Sequence, residues 1–205
     1  MAASRRLGVL AITMMIAEPA WAHHVMGGKL PQTFLQGLMS GFGHPVIGFD
    51  HLAAIVGVGI LAALAGRSAA VVLAFSVAVM AGVGLHLAKI DLPASELFVG
   101  LTTLLIGALV IARQSMGAGV AALLFAIAGL VHGYALGESI VGAEASPLIA
   151  YLLGLLVIQT AIGISVYAAV RSLARWPART AGLTAVGVLV ALAGGIATAV
   201  AAGLA

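Results

Sequence analysis

Cysteine is absent from the 205 residues, and acidic and basic side chains together make up only 7% of them. The first absence removes disulfides and thiolate metal sites, so any metal bound here must be held by imidazole, carboxylate or other oxygen ligands. The second excludes a soluble domain, whose charged share is normally about 25%. No glycine-rich phosphate loop ending in Lys-Ser or Lys-Thr occurs, so the chain offers no seat for a nucleotide. Net charge is +3, yet the nine basic residues are scattered along the chain, with only Arg5 and Arg6 adjacent, and form no stripe for nucleic acid. What is present is a chain 63% hydrophobic, which reads as an all-α polytopic membrane protein.

The N-terminus reads as a targeting signal. Arg5 and Arg6 precede an apolar run of 11 residues, Leu7 to Ala17, too short to span, and Ala20-Trp21-Ala22 supplies the small-x-small pattern that signal peptidase cuts. Residues 1–22 are therefore read as a cleaved signal peptide and 23–205 as a single transmembrane helical domain. Cleavage after Ala22 makes His23 the new N-terminus, followed by His24. An α-amine beside two imidazoles can chelate nickel, copper or zinc; a frayed polar tail is the competing reading.

Six apolar segments then follow, at 45–66, 68–88, 95–112, 117–137, 147–170 and 180–203, with 31–43 as a shorter helix against the outer face. Each has about the 20 residues needed to cross about 30 Å of hydrocarbon. A cleaved signal puts the mature N-terminus outside. The inner loops then hold Arg67, Arg113, Arg171, Arg175 and Arg179, and the outer segments hold Lys29 and Lys89 with Asp50, Asp91, Glu96, Glu138 and Glu144. The positive-inside rule gives the same orientation, so both mature termini are read as periplasmic in a bacterial inner membrane.

On that map His44, His51, His86 and His132 all fall in the outer half, with Asp50 and Glu138. An unpaired ionisable group in a membrane costs about 2.5–3.5 kcal/mol on insertion scales, so a shared metal site is favoured over separately satisfied core residues. Pro45 suits a first helical position, which predicts a helix starting there with His44 as its cap. His44 and His51 lie nearly on one face but roughly 10 Å apart along the axis. One ion reaches both only if the chain bends there; two successive sites, or a supporting role for one, are the alternatives. Asp50 either ligates from the flank or fixes the tautomer of an imidazole on another helix. Gly48 leaves room for a helix or an ion, and Gly129, Gly133 and Gly137 form a small-residue ridge that presses His132 into the bundle. Thr102, Thr103 and Gln159 are the few polar residues of the inner half and would line any exit path; Ser76, Ser139 and Ser165 read as packing or loop hydroxyls.

The stretch GFGHPVIGFDHLAAIVGVG, followed much later by HGYALGE, resembles the HupE/UreJ family, the nickel permeases that accompany hydrogenase and urease maturation. His44, Pro45, Gly48, Asp50 and His51 fill every fixed position of that family's first-helix pattern, H-P-x-x-G-x-D-H. The resemblance implies a secondary permease carrying nickel, in some members cobalt, as bound substrate with no prosthetic group. It also implies that His44, Asp50 and His51 are essential and that His132 and Glu138 belong to a second motif. The start of the mature chain, HHVMGG, lacks the longer His-rich segment that many members carry. On the residues alone the metal is open among nickel, cobalt, copper and zinc. The expected partners are a divalent metal ion and the lipid bilayer, a homo-oligomer is allowed, and no nucleic acid or nucleotide is expected. Neither the histidine clusters of membrane di-iron enzymes nor a glycine-flanked serine turn occurs, so an enzyme is not expected. The rival reading is a non-transporting metal sensor or accessory subunit.

Overall fold

The computed structural model describes residues 29–66 and 68–204, which form helices and turns, with no strand among the described residues. The leader read over 1–22, and His23 and His24 after it, lie outside the described residues. The helices are α1 (Phe34–Ile47), α2 (Phe49–Leu64), α3 (Ala70–Leu87), α4 (Ser95–Ile111), α5 (Ala118–Gly137), α6 (Ala145–Ser172) and α7 (Arg179–Ala201). Short 3-10 turns, Glu138–Ile140 and Leu173–Arg175, follow α5 and α6.

A capping box starts α1: Thr33 Oγ1 accepts from Gln36 N–H at 3.2 Å, and Gln36 Oε1 accepts from Thr33 N–H at 3.3 Å. The buried face of α1 carries Gly37, Ser40 and Gly41, and the carbonyls of Pro147 and Tyr151 on α6 occupy the space that side chains at the two glycines would need. Phe34, Leu35 and Met39 cover its exposed face.

The helix does not begin at Pro45, as its sequence position predicts. It runs through Pro45 to Ile47, breaks at Gly48 and resumes as α2 after a 78° bend. A proline within a helix loses the bond to the carbonyl four residues back and crowds that carbonyl with its ring, and this helix ends two residues after Pro45, which stands in its last turn. Gly48 N–H still closes that turn on the His44 carbonyl at 3.0 Å. The short outer helix and the first expected span are thus one bent unit.

Four helical stretches are long and apolar enough to cross a membrane: Ala70–Leu87, Gly119–Ile140, Ala145–Arg175 and Arg179–Ala201. The bent pair α1 and α2 makes a fifth when taken as one span, and Ser95–Ile111 is a shorter apolar helix of 17 residues. Its length of about 25 Å falls short of a full hydrocarbon core at 1.5 Å per residue. Where the sequence predicts six spans, the described helices give four to five by length and composition, the make-up of a multi-pass membrane protein.

At the centre stands α2, whose Ala54, Val58 and Leu61 are fully buried and against which α4, α6 and α7 pack. Three close pairs surround it: α4 with α7, α3 with α5, and α1 with α6. Glycines make these approaches possible. Gly133 faces the Val79 carbonyl, Gly129 the Phe75 carbonyl and Ala78, and Gly82 the Leu130 carbonyl, so α3 and α5 meet backbone to backbone. His132, beside this ridge, is only 1% exposed.

Candidate metal centre

The bend at Gly48 governs the site. It carries His44, in the last turn of α1, to within 6.3 Å of His51, in the first turn of α2, measured between ring centroids at an interplanar angle of 83°. Two imidazoles on one ion span at most about 6.4 Å between centroids, given metal–nitrogen bonds of about 2.0–2.1 Å. The roughly 10 Å separation along a straight helix has been removed. Across from α2, α5 delivers His132: its Nδ1 lies 2.8 Å from His51 Nδ1, with ring centroids 4.9 Å apart.

Counting hydrogens assigns the tautomers. Thr102 gives its single hydroxyl proton to the Phe98 carbonyl at 2.8 Å, and Thr103 gives its own to the Asp50 carbonyl at 3.4 Å. Both oxygens lie 3.3 Å from His132 Nε2, so they accept and that nitrogen donates. The His132 Nδ1 lone pair then faces His51, whose Nδ1–H must donate, which makes Nε2 the lone-pair nitrogen of His51. The same logic applies to His44. Tyr151 Oη donates to the Leu136 carbonyl at 2.7 Å and Ser139 Oγ donates to Tyr151 Oη at 3.0 Å, so His44 Nδ1 donates to these oxygens at 3.0 and 3.3 Å. Its Nε2 is again the lone-pair nitrogen. Metal-ligating histidines usually hold their other ring N–H in this way, on an oxygen that fixes the tautomer.

Asp50 turns back onto the start of its own helix: its Oδ1 accepts from His51 N–H at 2.8 Å, at the positive end of the α2 dipole. The space over Gly48 is taken up by the pair. A side chain at Gly48 would sit 2.8 Å from His51 Cδ2 and 3.3 Å from Asp50 Oδ1. Gly48 therefore makes room for the His51 and Asp50 side chains of the helix it opens, where the sequence predicts room for a neighbouring helix or an ion. Among the described residues no three His, Asp or Glu side chains close tightly enough in this arrangement to hold an ion. His51 and His132 bond to each other, so binding requires that pair to open.

A model of the family described as HupE / UreJ protein matches residues 10–197. The chain belongs to the HupE/UreJ family. This is a family of transporters and accessory proteins, not of enzymes, associated with nickel and cobalt uptake for hydrogenase and urease. The chain is also similar to Protein HupE of Rhizobium leguminosarum bv. viciae, with 36% identity over 121 residues, 58% of this chain and 61% of that one. The match thus covers about three-fifths of that relative's length. No solved structure matches the chain.

Within this HupE/UreJ chain the structure brings together His44, Asp50, His51 and His132, and leaves two candidates apart. His86 is half-buried against α5, its Nδ1–H donating to the Tyr134 carbonyl at 2.8 Å and its ring lying 4.4 Å from the Tyr134 ring. Glu138 is exposed at the start of the 3-10 turn, and it is the next residue, Ser139, that points inward to His44. Ser139, read from sequence as a packing or loop hydroxyl, and Tyr151, not singled out at all, are the oxygens that orient His44. Thr102 and Thr103, read as lining an inner exit path, instead orient His132. These partners sit 29 to 107 residues from their histidines in sequence, so no local spacing announces them.

Proposed function

We propose that this chain is a secondary permease that takes up a divalent transition metal, nickel foremost and cobalt next, across the bacterial inner membrane. The supporting observation is the set of three buried imidazoles gathered at the α1–α2 break, with His44 and His51 each held so that Nε2 carries the lone pair. Imidazole nitrogens suit nickel, cobalt, copper and zinc, and suit magnesium and calcium poorly. Asp50, beside His51, offsets part of the charge of an ion that has shed water. In this reading Glu138 meets the ion at the outer surface before the imidazoles, and His23, His24 and His86 are auxiliary ligands outside the cluster. The topology is six spans, counting the bent pair and Ser95–Ile111, with the signal peptide removed and both mature termini periplasmic.

Nickel flux into proteoliposomes tests the reading. The unmodified protein should give saturable uptake, and His44→Ala, Asp50→Ala and His51→Ala should each abolish it while remaining inserted. Normal uptake in all three would remove the site. Nickel binding by the unmodified protein without any uptake would make it the rival, an outward-facing metal-binding subunit.

A further inference from the structure

Among the described residues, Ser76 and Gln159 are the fully buried polar side chains inward of the imidazoles. Gln159, on α6, is 1% exposed, and neither its Nε2 nor its Oε1 has a hydrogen-bond partner among the described residues. A buried amide carries two donors and an acceptor oxygen, and folded proteins rarely leave all of them unmet without a functional reason.

Neighbouring contacts fix its depth. One turn further along α6, a side chain at Gly163 would run into Val72 of α3 and lie 3.7 Å from Ile55 Cγ2 of α2, while the Gly163 carbonyl faces Gly59. Because α6 passes from Tyr151 beside His44 down to Gly163, whereas α3 passes from Val72 up to Phe75 beside His132, the two helices are antiparallel. Stepping back one turn on α6 and forward one turn on α3 puts Gln159 level with Ser76. Ser76 is also fully buried, and its hydroxyl makes only a long 3.4 Å contact with the Val72 carbonyl. On α2, which runs alongside α6, the same level is Ile55, one turn or roughly 6 Å inward of His51.

We infer that Gln159, with Ser76 at the same level, forms an uncharged, hydrated station one helical turn inward of the His51–His132 pair, which receives the divalent ion and its remaining water from the imidazoles. The inference rests on the transport reading above. An amide carbonyl and a hydroxyl are neutral oxygen ligands, weaker for a borderline metal than imidazole. Conduction requires such a step, favourable enough to enter and weak enough to leave. Nitrogen ligands would select the ion at the outer site, and oxygen ligands would let it go at the inner one.

The absence of cysteine makes a direct test possible, since Gln159→Cys would carry the sole thiol of the chain. In folded protein that thiol should react with a small water-soluble methanethiosulfonate, and nickel should slow the reaction. Gln159→Leu should bind nickel in detergent within about twofold of the unmodified protein while flux in proteoliposomes falls about tenfold or more. Gln159→Asn, which keeps the amide, should recover part of that flux. Undiminished flux in Gln159→Leu would overturn the station, as would an unreactive thiol in folded Gln159→Cys. Joint loss of binding and flux would also overturn it, by making Gln159 a packing residue. Absent nickel flux in the unmodified protein would overturn the transport reading first, and the station with it.

Discussion

Replacing Gly48 by alanine should damage the metal centre with only a modest effect on the fold. The backbone at Gly48, φ −72° and ψ 100°, is open to any residue, so the effect must come from the added methyl group. That methyl would lie 2.8 Å from His51 Cδ2, whereas ordinary contacts begin near 3.4 Å, so the ring must retreat by about 0.6 Å. His51 Nδ1 now sits 2.8 Å from His132 Nδ1. A shift of that size carries the pair past about 3.2 Å, the outer limit of a good N–H hydrogen bond, at a net loss of about 1 kcal/mol. Thermal unfolding in detergent should therefore report a destabilisation of about 1–2 kcal/mol. Nickel titration should report about a tenfold loss of affinity or more, each decade being 1.4 kcal/mol, because the methyl group keeps the His51 ring from the position in which, once its bond to His132 opens, it meets an ion together with His44. Gly84→Ala is the control: Gly84 lies within α3 with nothing in 4 Å of the added carbon. It should gain about 0.5–1 kcal/mol of stability with nickel binding unchanged. Wild-type nickel affinity in Gly48→Ala would refute the claim that His51 and His132 share the ion.

Tyr151→Phe removes the hydroxyl that donates to the Leu136 carbonyl and accepts from Ser139. The Ser139 proton released from Tyr151 can turn to the Leu136 carbonyl, 3.1 Å away, so stability should fall by only about 1–2 kcal/mol in a melt, with a several-fold loss of nickel affinity as His44 loses one of its two orienting oxygens. Gly133→Ala should cost about 1–3 kcal/mol by forcing α3 and α5 apart at the Val79 carbonyl. It should also weaken nickel binding, since His132 rides on α5; a melt and a titration on one preparation check both effects.

Much of the helical plan was legible, and the reason is physical. Runs such as 68–88 and 180–203 are uniformly apolar and bounded by Arg, Lys, Pro or Gly, and they match Ala70–Leu87 and Arg179–Ala201 within two residues at each end. The glycine ridge beside His132 was legible for the same reason, because small residues every four positions have one obvious use in a bundle. The bend at Gly48 was not. Apolar residues continue on both sides of it, and Pro45 reads as a helix start when taken alone, while the α1 glycines reveal their purpose only once α6 lies across them. The candidate ligands stood out because ionisable groups are scarce here. Their orienting oxygens were hidden, since Ser139, Tyr151, Thr102 and Thr103 belong to other helices and are chemically unremarkable until packed.

If imidazoles from α1, α2 and α5 converge on one ion, X-ray absorption at the nickel edge of the loaded, purified protein should find several imidazole nitrogens around nickel. Each of His44→Ala, His51→Ala and His132→Ala should remove one imidazole from that shell. A shell of oxygen alone, or one that none of these substitutions alters, would contradict that convergence.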